Sequence, residues 1–378
     1  MVCTELDYAG VIMDVDRRFF LLGSALAAHA YQPDKPVNTA MIGTGNRGSY
    51  LLQGVLRQTN AKVLALCDIK PDRLDKAASA AVRDNPATYA DWKRIIENKD
   101  VDAVFIATPP YLHSEMAIEA IKAGKHVYCE KPLGVTAAQV RALLDAAKGS
   151  HKVFVAGQQL RSQKRLAETV RQIREGVIGD VVMVKAQRHA PADLDHDGTS
   201  GDWYFDVTKS GGYLIEQSVH NLDLCNWAIG SHPLRACGFG GNLFYKNDPP
   251  GRTIFDCGSI TYDYPNGVRM SFTQNVFHPA SMPNGNQYVY VYGAKGAVDL
   301  MTANLYPPGR GSQPVVLAPA QQEDQFAHIA AFYDSILNGT PPPVDVKGGA
   351  TAALTSILGH EAMVQEKVVR WSDFGVEL

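Results

Sequence analysis

The sequence predicts an α/β protein in two parts: a doubly wound parallel sheet, followed by an α+β region with a large, mostly antiparallel open sheet. In the first part, short apolar runs alternate with helical patterns, and a glycine-rich turn follows the first run. In the second part, strand patterns follow one another with few helices between them. The length of 378 residues suits two or three domains.

The strands of the first part are apolar along their whole length, as expected of parallel strands buried on both faces. They are predicted at 37–42, 63–66, 101–107, 126–129 and 153–156. Helical patterns between them include 49–58, 114–123 and 137–148. This alternation predicts a first domain at 37–157.

Beyond residue 157 the pattern changes to strands in series, which predicts a second domain at 158–378. Strands are predicted at 181–188, 234–239, 258–264, 268–276, 288–292 and 297–301, and helices at 164–175, 213–228, 323–337 and 349–365. Asn266-Gly267 predicts a tight hairpin, because both residues tolerate positive φ. The last helices are free to pack back on the first domain.

Composition excludes several classes of partner. The 36 basic and 39 acidic residues give a net charge of −3, so the chain lacks the positive field that binds nucleic acid. No apolar stretch approaches the roughly 18 residues of a stable membrane span. The six cysteines form no C-x-x-C pair, and the acidic stretch 193–206 lacks the spacing of an EF-hand, so we expect a solvated loop there and no metal site.

Residues 1–36 resemble a twin-arginine export signal with a spacer. Arg17-Arg18 precedes an apolar run at 19–28, and a small-x-small sequence ends at Ala30. This pattern predicts a periplasmic or other extracytoplasmic location. The alternative is an amphipathic N-terminal helix on a cytoplasmic protein.

The turn after the first strand has the dinucleotide-binding pattern G-x-G-x-x-G. Its glycines allow a tight turn and close approach of the backbone to a pyrophosphate, which then lies at the start of the next helix. The pattern therefore predicts cofactor contacts at Gly43, Gly45, Asn46, Arg47 and Gly48.

Asp68 ends the next strand, at the position where an acid accepts hydrogen bonds from the adenosine ribose. Its charge would repel a 2′-phosphate, which favours NAD over NADP. Lys70 and Arg73 lie close by in the sequence and keep NADP as the second choice.

Two further segments make a family resemblance specific. Glu130-Lys131-Pro132 follows the strand at 126–129, and Thr108-Pro109 ends the strand before it, with His113 close behind. With the glycine turn, these segments resemble the Gfo/Idh/MocA oxidoreductase family over about residues 37–370. The resemblance implies a Rossmann domain that binds NAD(P), a substrate-binding second domain and a homo-oligomer, either dimer or tetramer. It adds cofactor contacts at Thr108, Pro109, His113, Glu130 and Lys131.

Oxidation of an alcohol needs a base for the hydroxyl proton and a cation for the developing alkoxide. The resemblance assigns the cation to Lys131. It assigns the general acid/base to His220, with Glu216 four residues earlier on the same predicted helix as its orienter or as an acceptor from the substrate. The family commonly has Asp at this earlier position, which leaves the role of the acid more open than that of His220.

The expected substrate is a secondary hydroxyl of a sugar, glycoside or cyclitol. Its binding residues are predicted to include Arg161, Lys185, Trp203 and Tyr204. An exported enzyme meets no free nicotinamide pool, so the cofactor is expected to be tightly bound. An NAD-dependent glycosidase or lyase, which oxidises its substrate transiently, is the alternative to a net oxidoreductase, and a catalytically idle sugar-binding protein is the third hypothesis.

Overall fold

Parallel strands build the first sheet, which confirms the predicted doubly wound architecture. The computed structural model describes residues 35–192, 203–283 and 285–378, so the predicted export signal lies outside the described residues. The elements are β1 (Val37–Ile42), α1 (Asn46–Leu56), β2 (Ala61–Cys67), α2 (Pro71–Ala80), β3 (Ala87–Tyr89), α3 (Lys93–Glu97), β4 (Ala103–Ile106), α4 (His113–Lys122), β5 (His126–Cys129), α5 (Ala137–Ala147) and β6 (Phe154–Ala156). Their order in the sheet is β3-β2-β1-β4-β5-β6.

The order of these strands reverses next to β1, which places the carboxyl ends of β1 and β4 on either side of a crevice. A crevice of this kind is where open α/β sheets bind ligands. The sheet therefore positions the glycine turn after β1 beside the segment that follows β4.

The second sheet is mixed and mostly antiparallel, as predicted. Its region contains α6 (Lys164–Arg174), β7 (Val181–His189), α7 (Val207–Ser210), α8 (Gly212–Glu216), α9 (Val219–Ile229), β8 (Arg235–Gly241), β9 (Cys257–Asp263), β10 (Arg269–Asn275), β11 (Gln287–Gly293), β12 (Gly296–Asp299), β13 (Asn304–Tyr306), β14 (Val315–Val316), α10 (Ala327–Asn338), α11 (Val346–Gln365) and β15 (Val369–Arg370). The sheet order is β14-β13-β12-β11-β7-β10-β9-β8-β15, and β7 pairs with β10 in parallel. The predicted hairpin joins β9 to β10, with Asn266 at φ 60° and Gly267 at φ 77°.

Side chains alternate between the two faces of this second sheet. On β7, Val184 and Ala186 are buried in the core, whereas Met183 and Lys185 are exposed on the other face. Helices α9 and α11 pack against the buried face. No helix in the described ranges is long and apolar enough to cross a bilayer.

Helix α10 packs against the first sheet although it comes late in the chain. The ring of Phe332 on α10 lies edge-on to Phe105 of β4 at 5.2 Å, and Phe105 stacks on Tyr128 of β5 at 4.8 Å. Gly54 of α1 leaves the space for this contact, since a Cβ there would lie 2.3 Å from Ile329.

The single helix predicted over 213–228 is wrong, because the structure has two helices, α8 and α9, with a break at Gln217 and Ser218. In a continuous helix the carbonyl of Glu216 would accept the N–H of His220. Here the Nζ of Lys131 donates to that carbonyl at 2.6 Å, and the His220 N–H instead reaches the Gln217 carbonyl at 3.4 Å. The break between α8 and α9 therefore coincides with a hydrogen bond from Lys131 of the first domain to the Glu216 carbonyl.

Candidate active site

The turn between β1 and α1 requires glycine at two positions. Gly43 has φ +88°, and a Cβ there would lie 2.5 Å from the carbonyl oxygen of Ala107. A Cβ on Gly48 would lie 1.9 Å from the carbonyl oxygen of Gly43. The turn therefore lies closely against the end of β4, and the start of α1 lies closely against the turn.

The start of α1 has the properties of an anion site. Its N-cap residue is Gly45, which offers no side chain to the first N–H groups, and its first turn contains no acidic residue. Uncapped N–H groups and the helix dipole together attract a phosphate. Because the cap is bare and no acidic side chain lies in the first turn, this end of the helix fits the pyrophosphate of a dinucleotide.

Hydrogen bonds to Asp68 connect the glycine turn to the end of β2. Its Oδ2 accepts hydrogen bonds from the backbone N–H of Thr44 at 2.7 Å and from the Thr44 hydroxyl at 3.1 Å. Its Oδ1 accepts the N–H of Lys70 at 2.9 Å. The carboxylate is thus held in one orientation at the edge of the cavity, with acceptor capacity left for a ribose hydroxyl.

One cavity of about 610 Å³ connects this turn to the second domain. It is lined by Gly43, Gly45, Asn46, Arg47, Asp68, Lys70, Arg73, Thr108, Pro109, His113, Glu130, Lys131, Trp203, Glu216 and Gln217, among others. The wall includes every predicted cofactor residue except Gly48, which lies directly behind Gly43. The sequence-predicted nucleotide residues and two of the three predicted catalytic residues therefore share one space.

Glu130 and Arg47 form an ion pair between the segment after β5 and the glycine turn. The Nε of Arg47 lies 2.7 Å from the Oε1 of Glu130, whose side chain is buried. The guanidinium also lies 4.9 Å from the ring centre of Tyr50. Burial lowers the pKa of Arg47, but the charge and hydrogen bond of the Glu130 carboxylate act in the opposite direction, and the net shift is upward. Arg47 thus positions Glu130 in the cavity wall, beside Lys131.

His113 connects the other two segments of the wall. Its Nδ1 lies 2.7 Å from the carbonyl oxygen of Pro132 and its Nε2 lies 2.8 Å from that of Thr108. Burial lowers the pKa of this imidazole, while the two carbonyls act in the opposite direction. Each ring nitrogen lies within hydrogen-bond distance of a backbone carbonyl, and the nitrogen that carries the proton donates to its carbonyl, so His113 links the two segments of the wall beside Lys131.

Lys131 and Glu216 form a largely buried pair where the two domains meet. The Nζ of Lys131 lies 2.8 Å from the Oε1 of Glu216, and the two side chains are 11% and 12% exposed. The other carboxylate oxygen of Glu216 accepts a hydrogen bond from the side-chain amide of Gln217. Two of the three ammonium hydrogens of Lys131 are used by Glu216, which leaves one for a ligand.

His220 lies on the first turn of α9 and is buried. Its Nδ1 has no hydrogen-bond partner within the part of the chain that the structure describes, so Glu216 contacts Lys131 and not this imidazole. Burial lowers the pKa of His220 well below 6.5, and the positive charges of Lys131, Arg188 and Arg47 lower it further. The imidazole is therefore neutral near pH 7 and able to accept a proton.

The residues predicted to bind substrate fall in different places. Trp203 lines the cavity, and the buried Tyr204 packs edge-on against it at 5.9 Å. Arg161 forms a two-point ion pair with Asp223 at 2.6 and 2.9 Å. Lys185 is exposed on the face of the second sheet that points away from α9. The acidic segment at 193–202 lies outside the described residues.

Sequence reasoning missed Arg188. Its Nη2 donates to Gln217 at 3.2 Å, and its Nη1 contacts Asn221 at 3.4 Å and Gln287 at 2.5 Å. A signal was present, because Val184, Ala186 and Arg188 share the buried register of β7, where a charged residue is unusual.

Two family matches cover most of the described chain. Residues 37–158 match the oxidoreductase family with an NAD-binding Rossmann fold, GFO_IDH_MocA, and residues 167–299 match the GFO/IDH/MocA C-terminal domain.

Curated relatives differ in the activity that their names state. A myo-inositol 2-dehydrogenase of Thermotoga maritima is 22% identical over 87% of this chain and 97% of its own. A 2,7-anhydro-N-acetylneuraminate hydratase of Escherichia coli is 26% identical over 76% of this chain and 74% of its own. A glycosyl hydrolase family 109 protein of Stenotrophomonas maltophilia is 32% identical, over only 48% of this chain and 42% of its own.

Solved structures establish the same fold. Levoglucosan dehydrogenase in complex with NADH and levoglucosan has a TM-score of 0.73 and 20% identity, and covers 89% of this chain and 99% of its own. Aldose-aldose oxidoreductase from Caulobacter crescentus, complexed with glycerol, has a TM-score of 0.72 and 21% identity, over 89% of this chain and all of its own.

Proposed function

Because this chain belongs to the Gfo/Idh/MocA family of NAD-binding oxidoreductases, we propose that it transfers a hydride between a nicotinamide cofactor and a secondary hydroxyl of a sugar, glycoside or cyclitol. One observation carries the proposal: a single cavity is lined both by the glycine turn and by the Lys131–Glu216 pair. NAD, when bound, accepts the hydride of the carbinol carbon. The chain supplies the binding surface and moves the proton.

Lys131 is the electrophilic group of this proposal. Glu216 holds its ammonium through the backbone carbonyl and the carboxylate, so the remaining N–H has a restricted direction. A fixed donor of this kind stabilises the negative charge that develops on the substrate oxygen. The buried position strengthens the interaction because little water competes for it.

His220 is the general base. Its imidazole is neutral near pH 7 for the reasons given above, and it accepts the hydroxyl proton as the alkoxide forms. Glu216 acts through Lys131, which makes it a positioning residue.

Asp68 supports NAD as the preferred cofactor, because its fixed carboxylate would repel a 2′-phosphate. Lys70 and Arg73 line the same cavity, so NADP is the second choice. We also propose export through the twin-arginine signal at 1–36, with a cytoplasmic location as the alternative. Export implies a cofactor that stays bound through each cycle.

The experiment that tests this function has two steps. Purified protein is first denatured and the released NAD(H) measured, and then folded protein is mixed with NAD and a panel of neutral and acidic sugars. The proposal expects the near-ultraviolet absorbance of NADH to appear with at least one sugar. NAD binding without reduction by any member of the panel, and without oxidation of bound NADH by any ketosugar, contradicts it.

A redox-neutral glycosidase or lyase is the second candidate, and the names of the hydrolase and hydratase relatives favour it. In this reaction a hydroxyl carbon is first oxidised to a ketone, and a base then removes the proton beside it while the glycosidic oxygen leaves as an alcohol. In the glycosidase water adds to the resulting double bond, and in both cases the ketone takes back the hydride, so that no net NADH forms. Release of phenol from an aryl glycoside without net NADH would support it. Net NADH formation with a free sugar would support the first candidate.

We further propose a homo-oligomer, either a dimer or a tetramer. The exposed apolar side chains on the open face of the second sheet support it, such as Phe239 at 69% and Met183 at 41% exposure. Light scattering tests this proposal, and a mass equal to that of one chain contradicts it.

A further inference from the structure

Arg188 lies one residue before the end of β7 and points toward the active-site side of the second sheet. Its hydrogen bonds reach Gln217, which lines the cavity, and Asn221, which follows His220 on α9. Gln217 in turn donates to the carboxylate of Glu216, which holds Lys131. A continuous chain of hydrogen bonds therefore connects Arg188 to the proposed electrophile.

Arg188 differs from the neighbouring cations in the kind of partner that its charge has. Its three hydrogen-bond partners are neutral amides of Gln217, Asn221 and Gln287, and no carboxylate of a described residue pairs with it. By contrast, each of the nearby cations Arg47, Arg161 and Lys131 has a carboxylate within 2.8 Å. A partly buried cation without a counter-ion is costly, unless a ligand supplies the opposite charge.

The guanidinium also has donors to spare. It carries five N–H groups, of which the amides take two on Nη1 and one on Nη2. The Nε is buried and has no partner among residues 35–192, 203–283 and 285–378. The remaining donors, on Nε and Nη2, lie along one edge of a planar group, an arrangement that matches the two oxygens of a carboxylate.

The part of the site around Lys131 and His220 is positive. Lys131 and Glu216 cancel, His220 is neutral, and Arg188 adds one charge that reaches the imidazole of His220 and helps to lower its pKa. An oxidised nicotinamide adds a second positive charge when bound. A neutral polyol would leave this field uncompensated.

We propose that the substrate is an acidic sugar, an aldonate or uronate, whose carboxylate pairs with Arg188 while its secondary hydroxyl lies at Lys131 and His220. This inference rests on the proposed function, since it names the substrate class of that site. Arg188 is the residue that selects the acid over the matching neutral sugar.

The test measures binding rather than turnover, so that it stands apart from the proposed function. Calorimetry compares hexuronates and hexonates with their methyl esters and parent sugars, on the purified full chain loaded with NADH. At least one acid should bind about 30-fold more tightly than its ester, because a desolvated charge pair contributes at least about that much. Hexose phosphates form a third arm.

Three variants sharpen the test. Arg188→Gln should remove the preference for the acid and leave the affinity for the ester within a few-fold of the wild-type value. Arg188→Lys should keep part of the preference for the acid. Lys185→Gln is the matched control, because this lysine lies on the same strand but on the opposite face. If Arg188→Gln does not fold, the salt dependence of wild-type binding replaces it: affinity for the acid should fall as salt is added, and affinity for the ester should not.

Equal affinity for acids and esters across the panel would overturn the inference, as would a preference for phosphates over carboxylates. An acid preference that survives Arg188→Gln would also overturn it. Failure of the proposed function has a different signature, namely acid binding that depends on Arg188 with no hydride exchange in either direction. Oxidation of neutral sugars with no preference for acids overturns this inference alone.

Discussion

The glycine turn and the junction of α8 with α9 are the two halves of the candidate site, and they are built in different ways. The turn consists of consecutive residues, and its close contacts depend on the absence of Cβ atoms. The junction joins residues far apart in the chain, such as Lys131 with Glu216 and Arg188 with Gln217. A short motif can encode the first, whereas only the folded chain brings together the second.

The sharpest way to break the junction is to remove Lys131. Lys131→Met should lower kcat/KM by about 10³-fold, because the alkoxide loses its fixed donor in a largely dry site. Lys209→Met is the control, since Lys209 lines the same cavity but pairs with Asp206 at 3.1 Å. Steady-state kinetics and a separate measurement of NAD affinity check the prediction. Comparable losses in the two variants would contradict the role of Lys131.

Removal of His220 should cost about 10²-fold or more in kcat, as expected for loss of a general base. In the wild type, burial and nearby cations hold the pKa of this imidazole well below 6.5, so the neutral base persists as the pH falls through 6.5. The kcat/KM should therefore decrease only at lower pH, where the imidazole of the folded protein is protonated. His220→Asn should remove this decrease at low pH, the acid limb of the pH profile of kcat/KM. A wild-type limb centred at 6.5, or one that survives in His220→Asn, would rule out this base.

Arg161 was predicted to contact substrate, yet it pairs with the buried Asp223. Arg161→Met should lower the free energy of unfolding by about 3 kcal/mol, because it leaves a carboxylate buried without its partner. The double variant Arg161→Met/Asp223→Leu should recover much of this loss. Urea denaturation measures the stability, and a KM that stays within a few-fold identifies a structural role. A large rise in KM with unchanged stability would instead support substrate contact.

The mildest test concerns the turn itself. Asp68→Ser should raise the preference for NADP relative to NAD by roughly tenfold, because the carboxylate no longer repels a 2′-phosphate. Affinity for both cofactors should also fall, since Asp68 holds Thr44 in place. Thr44→Val removes the hydroxyl contact but keeps the acid, so it should leave the preference unchanged. Cofactor titrations of both variants decide the point.

The two halves of the site also differ in how much of them the sequence could predict. Buried parallel strands leave a strong pattern, and β1 and β5 have the predicted bounds. Strands of two or three residues, such as β3 and β15, leave almost none. Periodicity alone could not foresee the break at Gln217, because it accompanies the hydrogen bond from Lys131 in the other domain to the Glu216 carbonyl. The pairing of Glu216 with Lys131 has the same origin.

The central claim is that this cavity removes a hydride from a carbinol carbon of the substrate. The most direct test uses a preferred sugar labelled with deuterium at that carbon, a single turnover on NAD-loaded protein, and mass spectrometry of the cofactor after acid quench. The account predicts deuterium on the recovered NADH in the wild type and its near absence in Lys131→Met. Product that forms while the cofactor remains unlabelled would contradict the account.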